Sequence, residues 1–223
     1  MSTDATALTP NYEHDILDTH HGIGTPVLGM LLFITSEVMF FAGLFAAYFT
    51  LRAGYQEVVN GTLQHVWPPT EFANVLVPFT LFTESGALNL IVPMTILLIT
   101  SSFTCQLGVW GIRRDDHVAF RRNFAVTIVL GALFLLMEMY DWSVLFHEGL
   151  SMSTTTFGTT YFTLTGFHGA HVFGGVVMLS VVLYRGLAGQ FSSRHYDMVE
   201  ATSLYWHFVD VVWILLFSVL YVL

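Results

Sequence analysis

Charged residues are what this sequence has least of. They make up only 10% of the 223 residues, Lys is absent altogether, and all seven basic residues are Arg. Hydrophobic residues reach 54% and aromatic residues 15%. This balance excludes a soluble domain and indicates an integral membrane protein. The net charge of −9 also argues against nucleic acid as a partner.

Cysteine is nearly absent too. The single Cys105 lies within an apolar stretch, so the chain has neither a disulfide framework nor a cysteine metal cluster. A lone thiol in such surroundings is typical of a small apolar packing residue. The sequence therefore offers no cysteine-based site.

Long apolar runs, by contrast, are abundant. A helix needs roughly 20 such residues to cross about 30 Å of hydrocarbon, whereas barrel strands would show alternating segments of about ten. We therefore predict an all-α, polytopic membrane protein, a bundle of five transmembrane helices. The predicted spans are Pro26 to Leu51, Ala87 to Trp110, Phe124 to Phe146, Phe157 to Tyr184 and Thr202 to Val222. Residues 1–25 are expected to form a cytoplasmic tail, and residues 26–223 the transmembrane domain.

The arginines indicate the orientation. Four lie between the second and third spans and two between the fourth and fifth, which leaves only Arg52 on the other side. Because short cytoplasmic loops carry the excess of basic residues, we expect the N-terminus in the cytoplasm and the C-terminus outside. The segment from Arg52 to Ser85, with its Asn60-Gly61 turn signal and Trp67-Pro68-Pro69, is then a loop on the outer face.

A carboxyl group occupies the middle of the first span. Glu37 lies about 16 Å along the helix from Pro26, near the bilayer midplane, where a bare carboxylate costs several kcal/mol. Two interpretations remain open. Glu37 is either a neutral acid hydrogen-bonded to a neighbouring helix or a group that handles protons or contacts a partner.

Other polar residues lie inside the later spans. His168 and His171 lie about one turn apart among glycines in the fourth span, and such small residues allow close helix packing. A metal would need further ligands, which Glu138 and Asp141 in the third span or His207 and Asp210 in the fifth could supply on paper. Glu138 and His207, however, lie at depths that differ by roughly 15 Å or more. We therefore predict no metal and assign Glu138, His168, His171, His207 and Asp210 to helix packing and hydrogen bonding.

Five motifs carry a resemblance to a known family. They are Ser36-Glu37-Val38-Met39-Phe40-Phe41, Trp67-Pro68-Pro69, Glu138-Met139-Tyr140, Thr165-Gly166-Phe167-His168-Gly169-Ala170-His171-Val172 and Tyr205-Trp206-His207-Phe208-Val209-Asp210-Val211-Val212-Trp213. Over about residues 26 to 223 the chain closely resembles subunit III of the haem-copper oxidases, of the cytochrome c oxidase type. Each motif alone would be weak, but their joint occurrence is very specific.

The resemblance implies an accessory subunit of a bacterial cell membrane oxidase that reduces O2 to water and pumps protons. Such a subunit has no catalytic residue and no redox cofactor of its own. It packs on catalytic subunit I, in a complex with subunit II and other subunits, and those partners hold the haems and copper. It binds phospholipid, stabilises the enzyme and supports proton uptake. By position, Glu37 matches the family's intramembrane carboxylate, and Arg185 and His195 match residues near lipid head groups, although a loop-tethering role would suit those two equally.

The chain departs from seven-helix family members, because it lacks two N-terminal helices that wall the lipid cleft. Either another subunit replaces them or lipid is less enclosed. Five-helix forms also accompany quinol oxidases and a nitric oxide reductase relative, but Glu37 favours the cytochrome c oxidase branch. Two interpretations from other classes remain. A membrane redox protein could hold haem or quinone through its histidines, and a small proton-coupled transporter could use Glu37 as a relay, with an inverted repeat or broken helix.

Overall fold

The computed structural model describes residues 24–59, 61–69 and 90–222. Most of the predicted N-terminal tail lies outside these residues. The same holds for much of the predicted outer loop and for the first residues of the predicted second span, 87–89.

Five long helices make up the described chain. They are α1 (Thr25–Gly54), α2 (Ile91–Arg113), α3 (His117–His147), α4 (Thr156–Leu187) and α5 (Asp197–Phe217), and a π-helical turn (Ser218–Val222) extends α5. Each is long and apolar enough to cross a membrane, α5 together with its π-helical extension. The predicted all-α class with five transmembrane helices is therefore confirmed.

A short antiparallel hairpin follows α1. Strands β1 (Glu57–Val59) and β2 (Thr62–Gln64) pair with Val58 opposite Leu63. Gly61, in the connecting turn, has a φ of 79°, a conformation that glycine adopts without steric cost. The turn signal in the sequence thus marked a real reversal of the chain, although the two strands themselves were not predicted.

Helices α3 and α4 begin earlier than predicted because polar caps set their starts, and α5 also begins earlier, at Asp197 rather than Thr202, without a side-chain cap. The Asp116 side chain accepts a hydrogen bond from the Ala119 amide at 2.9 Å, which starts α3 seven residues before its predicted span. Thr155 accepts from the Gly158 amide at 3.0 Å and starts α4 in the same way. The added residues of α3, about two turns, carry Arg121 and Arg122 on helix rather than on a loop.

Helix α5 is the centre of the bundle, and α1 is its least covered member. Trp206 on α5 is fully buried, whereas α1 buries only Phe41 and Tyr48. Helices α3 and α4 approach the Trp206 ring through Gly131 and Gly175. A Cβ atom would lie 2.6 Å from the ring at Gly131 and 2.7 Å from it at Gly175. The small residues therefore permit α3 and α4 to close on the central tryptophan.

The C-terminal ends of α1 and α5 are joined by hydrogen bonds of aromatic side chains. Trp67 donates from its indole N–H to the Tyr48 hydroxyl at 2.8 Å, and Tyr48 donates to the Val219 carbonyl at 3.3 Å. The Trp67 ring also lies edge-on against Phe157 at the start of α4. The motif around Trp67 therefore ties the segment after β2 to three helices.

Candidate functional site

Glu37 and His171 form a pair between α1 and α4. Glu37 Oε2 lies 2.9 Å from His171 Nε2, and both side chains are less than one-fifth exposed. The other ring nitrogen, Nδ1, lies 2.6 Å from the Phe167 carbonyl oxygen. Because a carbonyl only accepts, Nδ1 must carry a proton and donate it there.

Because Nδ1 is protonated, the protonation state of Nε2 decides which partner, Glu37 or His171, donates the hydrogen bond between them. If the imidazole is neutral, Nε2 has a lone pair and Glu37 must be the protonated donor. If the imidazole is cationic, Nε2 donates and Glu37 is a carboxylate. In both cases one proton lies between Oε2 and Nε2 and the pair has zero net charge, which is how an acid can be accommodated within a bilayer.

Aromatic side chains enclose the pair. Phe40 stacks near the His171 ring at 6.3 Å between centroids, and Phe41 lies at 5.0 Å. Tyr205 on α5 donates to the His171 carbonyl at 3.1 Å, so three helices meet here. The low-dielectric surroundings strengthen the hydrogen bond between Glu37 and His171.

His168 faces a different helix from His171. Its Nε2–H donates to the Val209 carbonyl on α5 at 3.2 Å, and its ring packs against Trp213 and Phe134. The ring is completely buried, and Nδ1 has no hydrogen-bond partner among the described residues. One turn of separation along α4 therefore directs the two histidines to different neighbours.

His207 joins α5 to α2. Its Nε2 lies 3.2 Å from Gln106 Oε1 and its Nδ1 lies 2.5 Å from the Ser102 hydroxyl. An amide oxygen only accepts, so Nε2 carries the proton, and in the neutral ring Nδ1 accepts from Ser102. Next to it, Trp206 donates to Ser101 at 3.0 Å. Polar residues of α2 thus satisfy His207 and Trp206 of α5.

Asp210 lies one turn further along α5 and is 5% exposed. Neither of its carboxyl oxygens has a hydrogen-bond partner within the described part of the chain. Ser102 lies beside it, but the Ser102 hydroxyl proton is already engaged by His207 Nδ1. Asp210 therefore lies beside Ser102, but no hydrogen bond among the described residues supports its predicted role in hydrogen bonding between helices.

Glu138 and Asp141 lie on α3. Asp141 accepts from the Tyr161 hydroxyl at 3.0 Å, and Tyr161 in turn lies 2.6 Å from the Tyr221 hydroxyl. Glu138 is 6% exposed, packs on Gly169 of α4, and leaves Oε1 without a partner in the described chain. The two acids therefore differ in their hydrogen bonds: Asp141 accepts one from Tyr161, whereas Glu138 Oε1 has none within the described chain.

The candidate ligands do not converge. Across residues 24–59, 61–69 and 90–222, no three His, Cys, Asp or Glu side chains are placed so that they could hold a metal ion. Where these His, Asp and Glu side chains are hydrogen-bonded, each pairs with a polar side chain or a backbone carbonyl of a neighbouring segment. Such hydrogen bonds are typical of contacts between membrane helices.

Arg185 and His195 lie at the end of the bundle where α4 finishes and α5 begins. Arg185 Nε donates to Gln190 at 2.7 Å, and its guanidinium lies 5.4 Å from the centre of the Phe191 ring. The His195 side chain is exposed, while its backbone pairs with Ser192. Arg185 thus helps to hold the loop, and both residues lie near the loop surface.

Two further contacts fix the same end of the bundle. Asp115 accepts from the Ser193 amide at 2.7 Å and from its hydroxyl at 2.6 Å, joining the α2–α3 turn to the α4–α5 loop. These hydrogen bonds hold the pKa of Asp115 below its ordinary value. Arg113 pairs with Glu200 at 2.6 Å in a partly exposed position, where an ion pair contributes little.

Comparison with known proteins gives a consistent result. The profile of the family described as cytochrome c oxidase subunit III matches residues 13–223. A probable cytochrome c oxidase subunit 3 of Nocardia farcinica is 38% identical over 204 residues, 90% of this chain and 91% of that protein. A probable subunit 3 of Mycobacterium tuberculosis is 36% identical over 99% of this chain and 97% of its own length. The subunit 3 of Thermostichus vulcanus is 33% identical over all of this chain and 96% of its own.

The chain belongs to the cytochrome c oxidase subunit III family. The resemblance drawn from the sequence motifs is therefore confirmed. A subunit III is an accessory, non-catalytic part of a haem-copper oxidase, an oxidoreductase complex of the respiratory chain. The five apolar helices and the family together make this chain a multi-pass membrane protein with oxidase partners.

Sequence reasoning missed some residues of this subunit III. Ser102 and Gln106 on α2 bond His207, although the second span carried none of the family motifs. Their signal was present, because polar side chains within a transmembrane span require partners. Asp115 and Ser193 were missed as well, since two loops 78 positions apart show no pattern that links them.

Proposed function

We propose that this chain packs on oxidase subunit I and serves a cytochrome c oxidase rather than a quinol oxidase. Subunit I, with subunit II, would then hold the haems and copper. The proposal is supported most by the relatives named cytochrome c oxidase subunit 3, and the exposed large apolar side chains of α1 and α3 offer faces on which a membrane subunit could pack. In a membrane such faces are covered either by lipid or by a neighbouring subunit, and the described residues of this chain cover little of α1.

The experiment is a purification in mild detergent through a C-terminal tag, followed by a visible spectrum and identification of the co-purifying proteins. Haem that stays with a larger co-purifying protein, leaving this chain colourless after separation, supports the proposal. Haem that stays with this chain alone would overturn it and favour the membrane redox protein. Oxidation of reduced cytochrome c by the purified complex, set against oxidation of a quinol, identifies the electron donor.

We further propose that the end of the bundle carrying Arg185 and His195 faces the cytoplasm and contacts phospholipid head groups. Six of the seven arginines lie on that side, and basic residues near a membrane surface attract anionic lipids by about 1 kcal/mol each. Lipid extracted from the purified complex and quantified for wild type and for Arg185→Gln tests this. Equal lipid content in both would refute the Arg185 contact.

The Glu37–His171 pair supports a role in proton handling or in the stability of the working enzyme. The shared proton can move between oxygen and nitrogen without changing the net charge of the pair. A group of this kind is suited to buffering or relaying protons beside a proton-pumping partner. The role of Glu37 is thus proposed as supportive, with no chemical step on oxygen.

A further inference from the structure

Asp141 of α3, Tyr161 of α4 and Tyr221 of the π-helical turn form one hydrogen-bonded chain. Tyr161 donates its only hydroxyl proton to Asp141 Oδ2 at 3.0 Å, so in the 2.6 Å hydrogen bond between the two phenols Tyr221 is the donor. Both phenols are buried, with 1% of Tyr161 and 9% of Tyr221 exposed. The order of donation is therefore from Tyr221 to Tyr161 and from Tyr161 to Asp141.

The π-helical turn at the end of α5 places Tyr221 in this chain. Val219, Leu220 and Tyr221 are consecutive and all buried, whereas a regular amphipathic helix buries residues three or four apart. π-Helical turns are rare and occur frequently at functional sites. The backbone thus departs from a regular α-helix where the second phenol meets Tyr161.

A phenol that donates to a carboxylate can lose an electron and a proton together. Loss of the electron alone would leave a cation in a buried site, which is costly. When the proton moves along the 3.0 Å hydrogen bond at the same time, the Tyr161 O–H bond breaks, an O–H bond forms on Asp141, and Tyr161 becomes a neutral phenoxyl radical. The pair changes from one negative charge to none, and Tyr221 still donates to the radical oxygen.

The depth of Asp141 is compatible with a carboxylate. It lies six residues before the end of α3, about 9 Å along the helix, and so much nearer to the membrane surface than to the midplane. A charge is least costly near the ends of a membrane helix. Asp141 can therefore serve as the proton acceptor for Tyr161.

Aromatic rings connect Tyr161 to a partly exposed tryptophan. The Tyr161 ring lies 5.9 Å from that of Phe157 between centroids, and Phe157 lies 5.2 Å from Trp67. Trp67 in turn lies 5.4 Å from Tyr55, and both are partly exposed. Because electron tunnelling falls steeply with distance, rings in contact exchange electrons rapidly. An oxidant that removes an electron from Trp67 can therefore draw one from Tyr161.

We propose that Tyr161, with Asp141 as its proton acceptor and Tyr221 as the donor to its oxygen, is a one-electron redox site that intercepts oxygen-centred radicals. A peroxyl radical that takes an electron through Trp67 becomes a peroxide anion, which water protonates to the hydroperoxide. Tyr161 is left as a radical and Asp141 as an acid. A one-electron reductant of the enediol class returns the electron through the same rings, and the proton returns from Asp141 to Tyr161.

The site would protect the protein and its lipid beside an oxygen-reducing complex, where such radicals arise. The inference goes beyond the proposed function, because it uses membership of an oxidase only as the source of oxidant. It does not depend on which subunit this chain packs against, or on the electron donor of the complex.

Electron paramagnetic resonance of the purified oxidase complex tests the site. A photo-oxidised tris(bipyridine)ruthenium complex serves as the one-electron oxidant, and the sample is frozen directly after the flash. Ring-deuterated tyrosine, incorporated during growth, identifies a tyrosyl signal by the collapse of its hyperfine splitting. Tyr161→Phe and Asp141→Asn are compared with wild type. Tyr140→Phe is the matched control, because Tyr140 adjoins Asp141 on α3 and is 43% exposed.

We expect the yield of tyrosyl radical to fall severalfold in Tyr161→Phe and in Asp141→Asn, and to stay unchanged in Tyr140→Phe. The asparagine can still accept the hydrogen bond from Tyr161 but cannot take up its proton. It therefore removes the proton acceptor with little change in shape, and it keeps the test decisive if Tyr161→Phe fails to assemble. A wild-type yield in Tyr161→Phe or in Asp141→Asn would overturn the inference.

Tyr221→Phe gives a second readout, which a merely structural role would not change. The radical should still form, but its oxygen loses the hydrogen bond from Tyr221. The largest g component in high-field spectra should therefore increase. An unchanged g component would overturn the assignment of the radical to Tyr161.

The protective role is measured as the lifetime of oxygen consumption in vesicles that contain an azo initiator of peroxyl radicals. Tyr161→Phe should lose activity severalfold faster than wild type with the initiator and at the same rate without it. Equal lifetimes with the initiator, or an equally large difference without it, would overturn this role. A wild-type complex that contains no haem would instead refute the proposed function, while the tyrosyl yield remains measurable, so the two failures are distinguishable.

Discussion

Single residues inside the membrane show where a charge or a proton is tolerated. Glu37 is accommodated because His171 supplies the second site for its proton, and His171 is oriented by its bond to the Phe167 carbonyl. His168, one turn away, has no acid partner among the described residues and is oriented by a backbone carbonyl instead. The two histidines of α4 thus differ in their surroundings, and of the two only His171 forms a pair with an acid among the described residues.

Substitutions of Glu37 distinguish a role in proton exchange from a role in helix packing. Glu37→Gln keeps the size of the side chain and can donate an amide N–H to His171 Nε2, so we expect normal retention of the subunit. Because the amide cannot exchange a proton, we expect the lifetime of the oxidase during turnover to fall severalfold. Turnover number, proton stoichiometry and lifetime are measured on the purified complex in vesicles. If all three remain normal, Glu37 has no proton role.

Glu37→Leu is the matched control for packing. It leaves His171 Nε2 without a partner in a site less than one-fifth exposed, which costs about 1–3 kcal/mol. Retention of the subunit on heating in detergent should therefore decrease for Glu37→Leu and not for Glu37→Gln. A decrease of the same size in both would mean that the carboxyl group itself, and not merely a hydrogen bond, holds α1 on α4.

His207 tests the contact between α2 and α5. His207→Leu removes the partner of both Ser102 and Gln106, and we expect a loss of about 1–3 kcal/mol for each polar group left unpaired. Weaker assembly should follow and is measured as earlier loss of the subunit from the complex on heating. His147 is exposed at the end of α3, so His147→Leu is a suitable control. Equal retention of the two variants would contradict the role of His207.

At the scale of helices, the close approach of α3 and α4 to α5 depends on glycine. Gly175→Ala places a methyl group 2.7 Å from the Trp206 ring, and overpacking of this kind costs typically about 1–3 kcal/mol. A Cβ at Gly43 on α1 would meet no described residue of this chain within 4 Å, so Gly43→Ala should instead gain up to about 1 kcal/mol of helix propensity. Thermal unfolding of the purified complex should rank Gly43→Ala at or above wild type and Gly175→Ala below it. The reverse order would contradict this packing.

The link between the α2–α3 turn and the α4–α5 loop should depend on pH. Hydrogen bonds from Ser193 lower the pKa of Asp115 in the folded protein, so the stabilisation is complete above the unfolded pKa of about 3.9. It is lost as the pH falls through the lower folded pKa. Hydrogen exchange of the Ser193 amide, corrected for its intrinsic rate, should accelerate as the pH falls through the folded pKa of Asp115. The Gln190 amide, bonded to the Arg185 carbonyl, is the control and should stay protected.

Asp115→Asn provides the second test of this link. Asp115 has a φ of 55°, which Asn also tolerates, so the turn should keep its shape. Because the amide does not titrate in this range, the acid-dependent step in Ser193 exchange should disappear. A step that persists in the variant would assign the pH dependence to another group.

For the whole molecule, the sequence predicted the elements far better than the contacts between them. Five apolar runs were sufficient for the fold class, because hydrocarbon thickness determines helix length. The start of α3 was predicted seven residues late, since an Asp116 cap rather than hydropathy sets it. Glu37 was predicted near the midplane, yet its partner His171 lies 134 residues away, and no local pattern encodes that pairing.

Orientation across the membrane is the remaining property of the whole chain to be measured. Cys105 is fully buried, so the wild-type protein should not react with a membrane-impermeant maleimide. Met152→Cys lies in the exposed loop before α4, and Ala188→Cys lies in the exposed loop after it. Because the arginine-rich loops are expected in the cytoplasm, intact spheroplasts should label Met152→Cys at once and Ala188→Cys only after permeabilisation. The opposite pattern would invert the topology and move Arg185, His195 and the proposed lipid contact to the outer face.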